Sequence, residues 1–96
     1  SVDSVTNMSH MFRGASAFNQ DISAWNISAV TDLQHMFRGA STFNQNIASW
    51  DVSHVTRMDG MFFNAEKFNQ DLSSWSVANV TDMSWMFDGA LSFDQN

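Results

Sequence analysis

The sequence repeats itself every 25 residues, with no insertion or deletion to break the period. Successive units read VTNMSHMFRGASAFNQDISAWNISA (5–29), VTDLQHMFRGASTFNQNIASWDVSH (30–54), VTRMDGMFFNAEKFNQDLSSWSVAN (55–79) and the partial VTDMSWMFDGALSFDQN (80–96). A unit of this size cannot bury its apolar side chains by itself, and fixing its backbone costs about 1–2 kcal/mol per residue. The period therefore restricts the chain to architectures in which each unit is covered by its neighbours. The predicted organisation is one array over residues 1–96: a partial unit at 1–4, repeats at 5–29, 30–54 and 55–79, and a partial repeat at 80–96. Val2 stands where Ile27, Val52 and Val77 stand, and the whole is expected to be an excerpt of a longer array.

Repetition separates inside from outside, because a position that keeps its identity in every unit does the same structural work each time. The constant columns are headed by Val5, Thr6, Met11, Phe12, Ala15, Phe18 and Trp25, with Met8 and Ile22 nearly constant, and almost all are apolar. The columns headed by Asn7, His10, Arg13 and Ser16 drift and are mostly polar, which marks them as the solvent side.

Within a unit, Thr6 has the chemistry of a helix N-cap, and Met8, Met11 and Phe12 fall at i, i+3, i+4. Gly14, Gly39 and Gly89 stand where a C′ residue with positive φ is wanted, and Asn64 is the residue that best substitutes there. Farther on, DISAWNIS carries Ile22, Trp25 and Ile27 among small polar residues and predicts a short extended segment. The expected fold class is thus an α/β repeat solenoid: a right-handed, leucine-rich-repeat-like coil of 25-residue turns, each with a short helical turn and one or two short strands in parallel sheet. Stacking would bring each Trp to the next Trp and each Phe to the next Phe. The recurring FNQD then reads as structural ladders: Phe18, Phe43 and Phe68 as core, Asn19, Gln20, Asn44, Gln45, Asn69 and Gln70 as amides bonding unit to unit, and Trp25, Trp50 and Trp75 as a further column. A ligand-contacting role is the alternative for the same residues.

Composition narrows the partners. Four Lys+Arg against ten Asp+Glu give a net charge of −6 with no basic run, which disfavours nucleic acid and anionic membranes. Absence of cysteine removes disulfides and thiolate metal sites, and no apolar run approaches the ~20 residues of a membrane span. No nucleophile elbow, zincin helix or phosphate-cradling loop is present, so no enzyme is expected, and no cofactor. His10 and His35 share a column and could share a metal, but the column continues as Gly60 and Trp85, which favours a solvated pair. Asp21, Asp71 and Asp94 raise calcium, yet Asn46 interrupts their pattern and solvated charge is the default. Sequons at Asn7, Asn26 and Asn79 would matter only in a glycosylating route.

VTDMSWMFDGA, FNQDISAW and the VT opening each unit resemble the repeats of BspA-like bacterial surface proteins, a unit shared with mycoplasma-type surface lipoproteins and grouped with the leucine-rich repeats. The resemblance covers the whole chain, although only Leu33, Leu72 and Leu91 are Leu, with Met, Phe and Trp filling the core instead. It implies an extracellular, surface-displayed repeat protein acting in adhesion or protein interaction, without catalytic residues. The expected partner is a protein or glycan on another cell surface, met through His10, Arg13, His35, Arg38, Phe63, Glu66 and Trp85. The alternative is a structural stalk or extracellular fibre formed by self-association of units end to end.

Overall fold

Left-handed backbone positions decide how each unit folds. In the computed structural model, which describes residues 5–94, φ is 74°, 73°, 58° and 77° at Gly14, Gly39, Asn64 and Gly89, the column read as requiring it. It is equally positive four residues earlier, at His10, His35, Gly60 and Trp85 (61°, 54°, 62° and 59°). A residue in this region interrupts a right-handed helix of L-residues. What forms between residues 8 and 15 is a run of reverse turns, closed by Met11 N–H to Met8 O, Arg13 N–H to His10 O and Ala15 N–H to Phe12 O.

The N–H groups in between serve the next unit. Met8, His10, Phe12 and Gly14 donate to the carbonyls of Asp32, Gln34, Met36 and Arg38. Leu33, His35, Phe37 and Gly39 do the same toward the third unit, and Met58, Gly60, Phe62 and Asn64 toward the fourth. Each residue has one N–H, so a donor committed to a neighbouring unit is not available for an i→i−4 bond.

The expected α/β solenoid of helical turns and parallel sheet is therefore corrected. Among the described residues there is no helix and no strand, only isolated parallel bridges at Asn7–Asp32, Asp32–Arg57 and Arg57–Asp82. The body is a compact globule with extents of 30 × 26 × 20 Å and a radius of gyration of 12.0 Å. The segment expected to be extended is also turned, with Trp25 N–H bonded to Ile22 O and Val30 N–H to Ile27 O. The partial unit at 1–4, Gln95 and Asn96 lie outside the described residues.

Without a helix, Thr6 has nothing to cap. The Thr column instead joins units: Thr31 Oγ1 donates to Thr6 O at 3.3 Å, and Thr56 and Thr81 repeat the contact one and two units on, each at 3.2 Å. Local capping falls to the next residue, where Asn7, Asp32 and Asp82 each accept the backbone N–H two positions ahead in an Asx turn.

Phenylalanine organises the interior. Phe12, Phe37, Phe62 and Phe87 follow one another at ring-centroid separations of 5.6, 5.6 and 5.5 Å, and Phe18, Phe43, Phe68 and Phe93 at 5.8, 5.9 and 6.1 Å. Inside each unit the two columns meet face to face, Phe37 on Phe43 and Phe62 on Phe68 at 4.1 Å. Phe37, Phe43, Phe62 and Phe68 of the two middle units are fully buried, and Phe12, Phe18, Phe87 and Phe93 of the outer units partly so. At roughly 1.5–3 kcal/mol per buried ring, the middle units supply most of the apolar stabilisation. The Trp column departs from expectation, since among the described residues no Trp ring lies on another. Trp25 packs on Phe12 and Trp50 on Phe37, while the indole N–H of Trp50 and of Trp75 donates to the carbonyl of Ile22 and of Ile47, both at 3.1 Å. A hydrogen bond to the preceding unit satisfies the one polar atom that a buried indole carries.

Candidate interaction face

The turns that hold residue 10 of the first unit in the left-handed region end at residue 13, so the two drifting columns headed by His10 and Arg13 emerge side by side. The His10 and His35 rings stack at 5.0 Å with 18° between their planes. Arg13 Nη1 reaches His10 Nδ1 at 3.5 Å, and the Arg38 guanidinium lies 4.7 Å from the centre of the Phe63 ring, a cation–π geometry. Below the pair, the stack ends on bare backbone: a Cβ at Gly60 would come within 2.5 Å of His35 Cε1 and Nδ1. Only a glycine lets the imidazole settle there.

Two residues that sequence reasoning passed over complete this cluster. Asp59 is the buried charged residue of the described chain, and the Arg57 fork grips it through Nε to Oδ1 and Nη2 to Oδ2, both at 3.1 Å. In the other units an Asn or Asp at the Arg57 position accepts from the backbone two residues later. The third unit exchanges donor and acceptor, placing the cation first and the carboxylate second. The signal was in the sequence, where Arg57 interrupts the column Asn7, Asp32, Asp82 and Asp59 replaces Ser9, Gln34 and Ser84.

Protonation of His35 is disfavoured. Its Nδ1 is buried without a hydrogen-bond partner, and its Nε2 is 3.9 Å from Asp59 Oδ2. Burial is the larger influence and pushes its pKa below the usual imidazole value, helped by Arg38, His10 and Arg13 and opposed by Asp59.

The remaining expected face residues are dispersed. Trp85 is 67% exposed, in the same left-handed column but without a ring partner among the described residues. Glu66 is exposed on a later turn, where its carbonyl accepts Ser92 N–H, and no side-chain contact joins it to the His–Arg cluster.

The ladder residues lie elsewhere. Asn19 Oδ1 accepts the backbone N–H of Asn44 at 2.9 Å, and Asn44 Oδ1 accepts that of Asn69 at 3.0 Å. Gln45 and Gln70 each donate Nε2 to both oxygens of the Asn one unit back, while Gln20 is exposed. Asp21 and Asp71, raised as calcium ligands, accept from the backbone of Ser23 and Ser73. Among the described residues no group of three His, Asp or Glu side chains is placed to hold a metal.

One family model, that of the Mycoplasma protein of unknown function, DUF285, matches residues 1–96. The chain belongs to the DUF285 family. No curated protein and no solved structure matches it. Among the described residues of this DUF285 array, no helix is long and apolar enough to cross a membrane.

Proposed function

We propose that this chain is a non-enzymatic interaction module displayed at a cell surface, allied to the BspA-like repeat proteins, and that it binds a protein or glycan of another surface. The observation that carries the reading is the gathering of Arg13, Arg38, His10 and His35 on one face of a chain whose net charge is −6. A cationic and aromatic cluster on an acidic body is suited to an anionic partner, with the charge steering encounter and the rings supplying contact area. Exposed Trp85 extends the same column and adds a side-chain type that dominates interface energetics.

The test is adhesion of beads coated with the protein to intact cells, comparing the native chain with an Arg13→Ser, Arg38→Ser, Trp85→Ala variant. Adhesion should fall sharply in the variant and weaken with added salt, since surface charge is screened over about 8–10 Å at physiological ionic strength. Equal adhesion by a folded variant overturns the assignment. Enzymatic removal of surface glycans from the cells separates a glycan partner from a protein one.

A further inference from the structure

His35 has a described unit on either side: its ring stacks on His10 of the first and rests against Gly60 of the third. The side chain is 15% exposed, and Nδ1, the nitrogen beside Gly60, is buried without a hydrogen-bond partner. A neutral imidazole carries one N–H. The tautomer that suits this seat has it on Nε2, directed toward Asp59 Oδ2 at 3.9 Å. A second proton must go to Nδ1, where it creates a donor with no acceptor and a charge with little solvent.

The charges around the ring do not compensate for that. Asp59 attracts an imidazolium, but both of its oxygens are already gripped by Arg57 at 3.1 Å, and 3.9 Å is beyond hydrogen-bond distance. Arg38, Arg13 and a charged His10 all repel it. His10 is tied to the same event. Arginine has no acceptor, so at their 3.5 Å contact Arg13 Nη1 donates to His10 Nδ1, and a proton arriving on that nitrogen displaces the guanidinium. The main chain is indifferent to these changes, because His35 N–H is bonded to Asp59 O and Gly60 N–H to Ser84 O, neither through a ring. Leaving the seat is a side-chain rotation.

We infer that the His–Arg face is proton-gated: on acidification the His35 ring leaves Gly60 and turns to solvent, Arg13 parts from His10, and the anionic partner meets His10 and His35 as cations beside Arg13 and Arg38. The inference rests on the proposed function for its partner and adds the condition under which that partner is held best. By linkage, an anion that prefers the turned-out form strengthens proton binding at His35 by the same factor as the proton strengthens anion binding.

The probe is a sulfated oligosaccharide, whose sulfate esters stay ionised throughout, titrated at constant ionic strength at about pH 7.5 and about pH 5, on either side of the ordinary imidazole value. Proton NMR of the His35 ring follows in parallel. Binding should be about fivefold or more tighter at the lower pH, and the contact between the His35 ring and the Gly60 Hα should be present at the higher pH and lost at the lower. His35→Asn, which keeps a residue tolerant of positive φ, should lose most of the gain. Equal affinity at the two pH values, a charged His35 ring still on Gly60, or an undiminished gain in His35→Asn would each overturn the gate, as would absence of probe binding at both pH values by a chain whose beads still adhere to cells. Adhesion that ignores Arg13→Ser and Arg38→Ser would instead remove the proposed function, and the gate with it.

Discussion

Two columns of this chain have the same backbone and opposite histories of side-chain choice. Gly14, Gly39, Asn64 and Gly89 occupy the left-handed region with the residues that enter it most easily, whereas His10, His35, Gly60 and Trp85 occupy it with bulky rings in three positions of four. What a Cβ meets varies within each column. At Gly89 a Cβ would clash with Asn64 Oδ1 and lie 3.3 Å from its Cα, at Gly39 it would touch Gly14 Cα at 3.6 Å, and at Gly14 it would meet nothing within 4 Å, whereas in the earlier column a Cβ at Gly60 would strike the His35 ring. In the earlier column His10 and Trp85 are exposed, His35 is half-buried and Gly60 is buried, and the left-handed cost of roughly 1–2 kcal/mol is borne wherever a ring is carried. Such strain at the exposed His10 and Trp85, in a body otherwise built from repeated identities, marks where side chains vary for reasons other than folding.

Substitution to alanine should split the two columns and then subdivide them. Gly89→Ala and Gly60→Ala are expected to be the costliest, at about 2–4 kcal/mol, combining left-handed strain with displacement of Asn64 in one case and of the His35 ring in the other. Urea unfolding measures both. Gly39→Ala should cost less, about 1–2 kcal/mol, because its new Cβ finds ordinary contact. A ranking that put Gly39→Ala above Gly60→Ala would break the argument that the His35 ring sits on the glycine.

A smaller effect sharpens the earlier column through pH. The folded-state pKa of His35 lies below its usual 6.5, so the unfolded chain takes up a proton before the folded one does. The stability tied to neutral His35 is complete above 6.5 and declines as pH falls from there toward the folded value. His35→Asn, which keeps a residue tolerant of positive φ, should flatten the stability profile just below pH 6.5. The surface carboxylates Asp21, Asp51, Asp71 and Asp82 act lower down: hydrogen bonds from the serine two residues on hold them below the ordinary 3.8, and their contribution is lost only as pH falls below that value. An unchanged slope in His35→Asn would contradict the buried Nδ1 of His35 without a hydrogen-bond partner.

Much of this body was legible in the sequence because the repeat tabulates environments. Phe12, Phe18 and their equivalents face the interior, and Asn64 among three glycines reported a positive φ. The second left-handed column was hidden because tryptophan gives no propensity signal for it and histidine only a weak one, and Gly60 was its clearest trace. The helix was misread for a different reason. Residues at i, i+3, i+4 also face one way across consecutive reverse turns, as Leu33, Met36 and Phe37 do, all fully buried. Periodicity fixes the buried face and leaves open whether N–H groups bond within the unit or to the next. The Arg57–Asp59 grip required noticing a change at two columns together, which inspection of single columns does not show.

The central claim is that His10, His35 and Trp85 need a backbone conformation and not particular side chains, which under the proposed function leaves those side chains to binding. The direct measurement is denaturant unfolding of a His10→Gly, His35→Gly, Trp85→Gly chain beside Trp50→Ala. Trp50, 4% exposed and bonded to Ile22 O, should cost about 3–5 kcal/mol on removal. In the triple variant, relief of left-handed strain offsets the lost ring contacts and the added backbone entropy of glycine, so stability should stay within about 1 kcal/mol of the native chain. A loss in the triple variant as large as that of Trp50→Ala would mean that the column holds the body together, and the separation of folding from binding would be wrong.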